Sequence, residues 1–174
     1  MISLGRVVET VTGLSLADYL GKNVFGPLGM KDTGYRPDPA RCAPTTPVIV
    51  GRVHDPLARA YMTAEHQSGN AGLFSTADDL ALFCRALLSG RIVRPETLKK
   101  MFEPDMYTRG LGWDVFDDAP WKPGVGHTGF TGTLIWIDPV KRRFLILLDN
   151  RTYHGEKEVK DRRLREEVLK VVNQ

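Results

Sequence analysis

From residue 109 the hydrophobic period of this 174-residue chain changes from helical to alternating, and that switch restricts the fold more than any other feature. Leu111, Trp113 and Val115 alternate with Gly112 and Asp114, the period-two pattern of a strand. Residues 127–137 are rich in β-branched and aromatic side chains and read as a second strand. Asp138-Pro139 and the basic residues after it read as a turn, and residues 143–150 as the answering strand of an antiparallel hairpin. The unbroken apolar run of that last strand predicts cover on both faces and a central place in the sheet.

The rest of the chain is helical or loop-like. A helix is expected over Ile2–Thr12, stopped by Gly13. Ser15, with Asp18 three residues on, predicts a capped second helix ending before Pro27. Residues 31–60 read as an extended loop with one short strand at Val48-Ile49-Val50. Ser75 or Thr76 caps a third helix carrying the stripe Leu80, Phe83, Cys84, Leu87 and Leu88, closed by Gly90. Pro95 opens a fourth helix running to Phe102. A last helix over residues 156–172, starting near Glu156, shows Val159, Leu164, Val168 and Val171 as its apolar stripe. The expected class is α+β: helices plus a small antiparallel sheet with a C-terminal helix packed on it. Three strands make a thin sheet with at least one unfinished edge.

Composition excludes several classes. At 42% hydrophobic and 26% charged residues the chain is neither disordered nor collagen-like nor a coiled coil. A net charge of +3 is too small to argue for nucleic acid. The basic groups Lys141-Arg142-Arg143 and Lys160-Asp161-Arg162-Arg163 read as a turn and a solvated helix face, with no interleaved aromatics to stack bases. Cys42 and Cys84 lack CxxC spacing, which argues against zinc. No apolar run reaches the ~20 residues of a membrane span. The first residues do not pattern as a signal peptide, so the chain as given is expected to stay where it is made. A helical pattern already running at Ile2, with nothing before it to cap it, predicts missing sequence upstream.

The four histidines, His54, His66, His127 and His154, form no i, i+4 pair and no HExxH motif, so no metal and no cofactor is expected. There is no G-x-S-x-G nucleophile elbow. The loop Ser68-Gly69-Asn70-Ala71-Gly72 lacks the lysine and spacing of a phosphate loop. His127-Thr128-Gly129 stands apart. It begins a strand after the glycine-rich run Pro123-Gly124-Val125-Gly126, and Gly129 and Gly132 remove side chains where a ligand could lie. Strand-edge N–H groups there could hold a carbonyl oxygen beside a histidine that moves a proton. A histidine that merely ends a strand fits the same residues.

Several collinear segments resemble the penicillin-recognising serine hydrolases, in particular the class C β-lactamase-like esterases and D,D-peptidases. Val24-Phe25-Gly26-Pro27-Leu28-Gly29-Met30-Lys31-Asp32-Thr33 is similar to that branch's F-x-P-L-G-M-x-D-T signature. The stretch from Val11 to Leu20, Val53-His54-Asp55, and Ala71-Gly72-Leu73-Phe74-Ser75-Thr76-Ala77-Asp78-Asp79-Leu80 resemble further portions. His127-Thr128-Gly129-Phe130-Thr131-Gly132 looks like its third catalytic motif, Lys/His-Thr-Gly, and Ile137-Asp138-Pro139 with Leu147-Leu148-Asp149-Asn150-Arg151 its closing hairpin. In that branch the residue before Ala71-Gly72 is usually histidine, and here it is Asn70.

The resemblance implies roles. His127 would be the charged or proton-relaying group, Thr128 would hydrogen-bond the substrate, Gly129 would permit close approach, and Phe130 would give its backbone N–H to an oxyanion hole. It implies two further motifs, S-x-x-K with the nucleophile and Tyr-x-Asn. No serine here has a lysine three residues on, and no tyrosine has an asparagine two residues on. The expectation is therefore the C-terminal portion of a β-lactamase/transpeptidase-like catalytic domain, 1–174, inactive alone. Its substrate would be a small molecule or peptide: a β-lactam, a peptidoglycan peptide or an ester. The alternative is a non-catalytic interaction module that forms a homodimer or pairs with a separate N-terminal half.

Overall fold

Why does Ile2–Thr12 stop where it does? Gly13 takes a left-handed conformation, φ 70°, and its N–H closes the helix onto the Glu9 carbonyl at 2.9 Å. The computed structural model describes residues 2–63, 65–105, 107–153 and 159–172, with the side chains of 159–162 left aside. The chain divides into two units, Met1–Leu82 and Phe83–Gln174.

In the first unit, α1 (Ile2–Thr12) is followed by α2 (Leu16–Leu20). Ser15 caps α2 as the spacing predicts: its Oγ accepts from the Asp18 N–H at 3.1 Å and donates to Asp18 Oδ2 at 2.6 Å. The helical path does not end before Pro27. It widens into a π turn over Gly21–Phe25 and continues as α3 (Gly26–Leu28), ending at Gly29 with φ 74°. Pro27 stands directly after the widened turn, in the first turn of that segment.

The expected strand at 48–50 is absent. Val48 is 87% exposed, and only an isolated bridge joins Thr46 to Ile49. The same region instead holds α4 (Pro56–Tyr61), capped by Asp55, whose Oδ1 accepts from the Ala58 N–H at 2.6 Å. Leu16, Phe25, Met30, Val53 and Ala58 are the buried apolar residues here.

Helix α5 (Ala77–Leu88) carries the chain into the second unit, where α6 (Pro95–Phe102) follows. Among the described residues the sheet has four strands in the order β1-β2-β3-β4, all antiparallel: β1 (Asp114–Phe116), β2 (Gly124–Thr128), β3 (Leu134–Asp138) and β4 (Arg143–Leu147). The class is α+β. Two expectations need correction. Leu111 is outside the sheet, 67% exposed, with Gly112 at φ 83° before β1. Residues 127–137 are not one strand. They turn back at 129–133, and Thr128 pairs with Leu134.

The third correction concerns β4, which lies at an edge among the described residues rather than centrally. The expected cover on both faces is there, and it accounts for the apolar run without a central place. Phe144 and Ile146 join a core with Cys84, Leu87, Trp113, Val125 and Ile137. Leu145 and Leu147 join Trp121, Leu134, Trp136 and Leu169 on the other side. Leu169 belongs to α7 (Val159–Val172), which packs on the sheet. The expected start at Glu156 lies outside the described residues. The buried side of α7 is also one step from the expected stripe: Arg165 and Leu169 are buried, while Leu164 and Val171 are 45% and 69% exposed.

Candidate functional site

Strand β2 outruns its neighbour. The β1 ladder ends at Asp114 opposite Gly126, whereas β2 continues through His127 and Thr128, which pair only with Ile135 and Leu134 of β3. The two residues of the motif therefore stand on a strand end whose outer edge lies beyond β1. Hydrogen-bonding directions alternate along a strand. Gly129 sends its N–H to the Thr133 carbonyl at 2.7 Å, toward the β3 side, so Thr128 directs its backbone groups to the outer edge.

Side-chain alternation separates the motif further. His127 shares a face with Val125, the face covered by the Cys84, Leu87 and Trp113 core, and its ring is exposed. Nδ1 lies 2.9 Å from the Thr128 carbonyl oxygen, which holds the ring along the strand end. Thr128, half-buried, takes the opposite face with Leu134. Phe130 has its side chain 71% exposed.

The turn after the motif is held from behind. The Gly132 N–H donates to the Gly129 carbonyl at 3.1 Å. Arg165, buried on α7, donates from Nη2 to the carbonyls of Gly129 at 3.3 Å and Thr133 at 3.1 Å. Arg151 donates from Nε to the Phe130 carbonyl at 2.7 Å, and its guanidinium lies 5.1 Å from the centre of the Phe130 ring.

The glycines answer to the chain itself. A Cβ on Gly129 would strike the Thr133 hydroxyl, and one on Gly132, at φ 121°, would lie 2.9 Å from the Asp149 carbonyl oxygen. The structure thus brings His127, Thr128, Gly129 and Phe130 together at one strand end and turn. Arg151 and Arg165 join them. Arg165 was invisible in the sequence pattern because it occupies a buried helix position where an apolar residue is the norm.

The first unit contributes two buried polar knots. Asp79, at the start of α5, accepts from the Asp32 N–H at 2.8 Å and the Thr33 hydroxyl at 2.7 Å, and Thr33 Oγ1 lies 2.7 Å from Ser75 Oγ. The other centres on Glu9. Arg6 Nη1 donates to its Oε2 at 2.8 Å, the Leu16 N–H donates to Oε1 at 3.3 Å, and His66 Nδ1 lies 3.1 Å from Oε2. Burial pushes the Glu9 carboxyl up, but the bonds from Arg6, Leu16, Gln67 and His66 outweigh it and leave the group below the ordinary glutamate range. Burial, aided by the charge of Glu9, pushes the Tyr35 hydroxyl up to about 12. Among the described residues no cluster of three or more His, Cys, Asp or Glu could hold a metal ion, and no helix is long and apolar enough to cross a membrane.

Comparison with known proteins places this arrangement in context. A Salmonella schwarzengrund protein named "Putative D-alanyl-D-alanine carboxypeptidase" is 32% identical over 189 aligned positions, covering 86% of this chain and 43% of its own length. A simvastatin synthase variant from Aspergillus terreus superposes with a TM-score of 0.77 at 23% identity, over 99% of this chain and 53% of its own. A β-lactamase from Mycobacterium bovis superposes with a TM-score of 0.69 at 22% identity, over 97% of this chain and 59% of its own. The chain thus spans less than half the length of the curated relative and little more than half of each solved one. The β-lactamase family profile matches residues 1–170, and with nearly the whole chain inside that match the protein belongs to the β-lactamase family.

Proposed function

We propose that this chain forms one wall of the active site of a serine hydrolase acting on amide or ester bonds. The observation that carries the reading is the placement of His127 and Thr128 on the part of β2 that extends past β1, with the 129–133 turn directly after. Acyl transfer needs a group to move a proton and donors aimed at the developing oxyanion. At this edge the exposed His127 imidazole supplies the first. The Phe130 N–H supplies a donor and Thr128 holds the substrate. β-Lactams, peptidoglycan peptides and esters are the candidate substrates. The curated relative's name favours peptides ending in D-alanine.

The covalent step needs a nucleophile, and no S-x-x-K occurs in these 174 residues. In this reading the chain is the C-terminal portion of a catalytic domain whose nucleophile comes from other sequence, and alone it is inactive. Incubation with a fluorescent penicillin or a p-nitrophenyl ester tests this. The 174-residue chain is expected to give no acylation or turnover above its His127→Ala control. The same chain fused after an S-x-x-K-bearing portion of the family is expected to acylate, with His127→Ala cutting turnover about 10²-fold or more. Turnover by the chain alone, or a His127→Ala fusion of full activity, overturns it.

A second reading has an observation of its own: β4 lies at the sheet edge with an apolar, half-buried sequence. An interaction module would pair there by strand addition, with a second copy or a separate N-terminal half. A monomer by light scattering at high concentration, unchanged on adding that half, removes it.

A further inference from the structure

We infer that Arg165 is a positioning residue for the site, acting through the Gly129–Phe130 peptide. This rests on the proposed hydrolase reading, in which the Phe130 N–H is an oxyanion donor. Gly129 C=O and Phe130 N–H belong to one planar unit, and the bond joining them is trans. In a trans peptide the two groups point in opposite directions, so whatever holds the carbonyl also aims the N–H. Two donors hold it: the Gly132 N–H at 3.1 Å and Arg165 Nη2 at 3.3 Å. Both draw the carbonyl into the turn, so the Phe130 N–H is turned outward, to the edge where β2 extends past β1.

The second contact of the same nitrogen fixes the base of the turn. Arg165 Nη2 also donates to the Thr133 carbonyl at 3.1 Å, the oxygen that accepts the Gly129 N–H at 2.7 Å. One guanidinium nitrogen therefore bridges both ends of the five-residue turn. A cation on the carbonyl side also polarises the peptide and makes its N–H a stronger donor. Because Arg165 is buried, little water screens that effect. A buried arginine is costly to keep on a helix otherwise anchored by Leu169. Its contacts explain why an apolar residue at this position would leave the turn differently held.

The experiment uses the 174-residue chain labelled with 15N and 13C, as wild type, Arg165→Leu, Arg165→Gln and Arg165→Lys. The Gly129 carbonyl carbon and the Phe130 amide nitrogen report the shared peptide, and exchange of the Gly129 and Gly132 amides reports the turn. The Lys141 amide, bonded to Asp138 Oδ1 at the far end of β3, is the internal control. In R165L and R165Q both peptide nuclei are expected to shift, and the two glycine amides to exchange about tenfold faster, while Lys141 holds. R165K, which keeps a cationic donor, is expected to recover part of the shift.

Peptide nuclei that stay in place in folded R165L and R165Q overturn the proposal. So does a uniform change that takes Lys141 along with the turn, since that is a general loss of packing, and so does an R165K that shows no recovery. The hydrolase reading fails separately, in the acylation assay on the fused chain, which does not report the orientation of this peptide.

Discussion

Thr33 and Asp79 are joined by a hydroxyl-to-carboxylate hydrogen bond of 2.7 Å that spans 46 residues of chain. Asp79 also takes the Asp32 N–H, so the M-x-D-T turn and the first turn of α5 share one carboxylate. Two sequence signatures that are distant along the chain are thus two ends of one structural tie. Asp79→Ala leaves the Asp32 amide and the half-buried Thr33 hydroxyl without their shared acceptor, and a loss of about 1–2 kcal/mol is expected in urea unfolding. Asp79→Asn keeps one acceptor oxygen and should lose roughly half as much. Equal stability of wild type and Asp79→Ala would show that the tie contributes nothing.

Gly124 faces the indole of Trp136, which is fully buried and donates from Nε1 to the Trp121 carbonyl at 2.7 Å. A Cβ on Gly124 would strike that indole and lie 2.6 Å from the Trp121 oxygen. Gly124→Ala should therefore cost at least ~2 kcal/mol by overpacking. Trp136→Phe relieves the crowding and loses the hydrogen bond. In the Trp136→Phe background Gly124→Ala should cost clearly less, and a double-mutant cycle with no coupling between the two would refute the contact.

Acid should loosen the Glu9 knot. The folded-state carboxyl titrates below the ordinary glutamate range, so between the two values the unfolded chain binds the extra proton. The stabilisation is complete above the unfolded value, about pH 4.3, and is lost as pH falls through the lower folded value. Stability measured from pH 7 to pH 3 should fall at the acid end, and Glu9→Gln should flatten that slope. An unchanged slope in Glu9→Gln would assign the acid sensitivity elsewhere.

The two thiols should react very differently. Cys84 is fully buried in the sheet core, and burial pushes its thiol up to about 12. Cys42 is half-buried, its thiol raised by burial and by Asp38, and its Sγ donates to the Asp38 carbonyl at 3.3 Å. At pH 8 a disulfide reagent should titrate one thiol rapidly, and the second only once denaturant is added. Two fast equivalents in the native chain would contradict the burial of Cys84.

The helices were legible because their ends carry chemistry. Gly13 and Gly90 adopt the left-handed conformation that only glycine takes readily, and the Ser15-Asp18 cap is local. The strand errors came from non-local causes. Residues 127–137 alternate through a turn, so period alone could not show that Gly132 reverses the chain. The apolar run of β4 reported two-faced burial, which an edge strand achieves when helices cover both sides. Helix α4 was hidden in a proline-rich stretch, although Asp55-Pro56 is a cap followed by a first-turn proline. The motif residues were legible as a string, but their reach past β1 was not. Neither was the arginine behind the turn, since it lies one step off the apolar stripe by which α7 was phased.

His127 and Thr128, neighbours in sequence, answer to different layers of the molecule. The imidazole rises from the face packed with Cys84, Leu87 and Trp113, the hydroxyl from the face packed with Leu169. Drift in one layer can therefore shift the imidazole while leaving the hydroxyl in place, and the reverse. Repacking around α7 would thus reach the Thr128 side of the strand end, and repacking around α5 the His127 side.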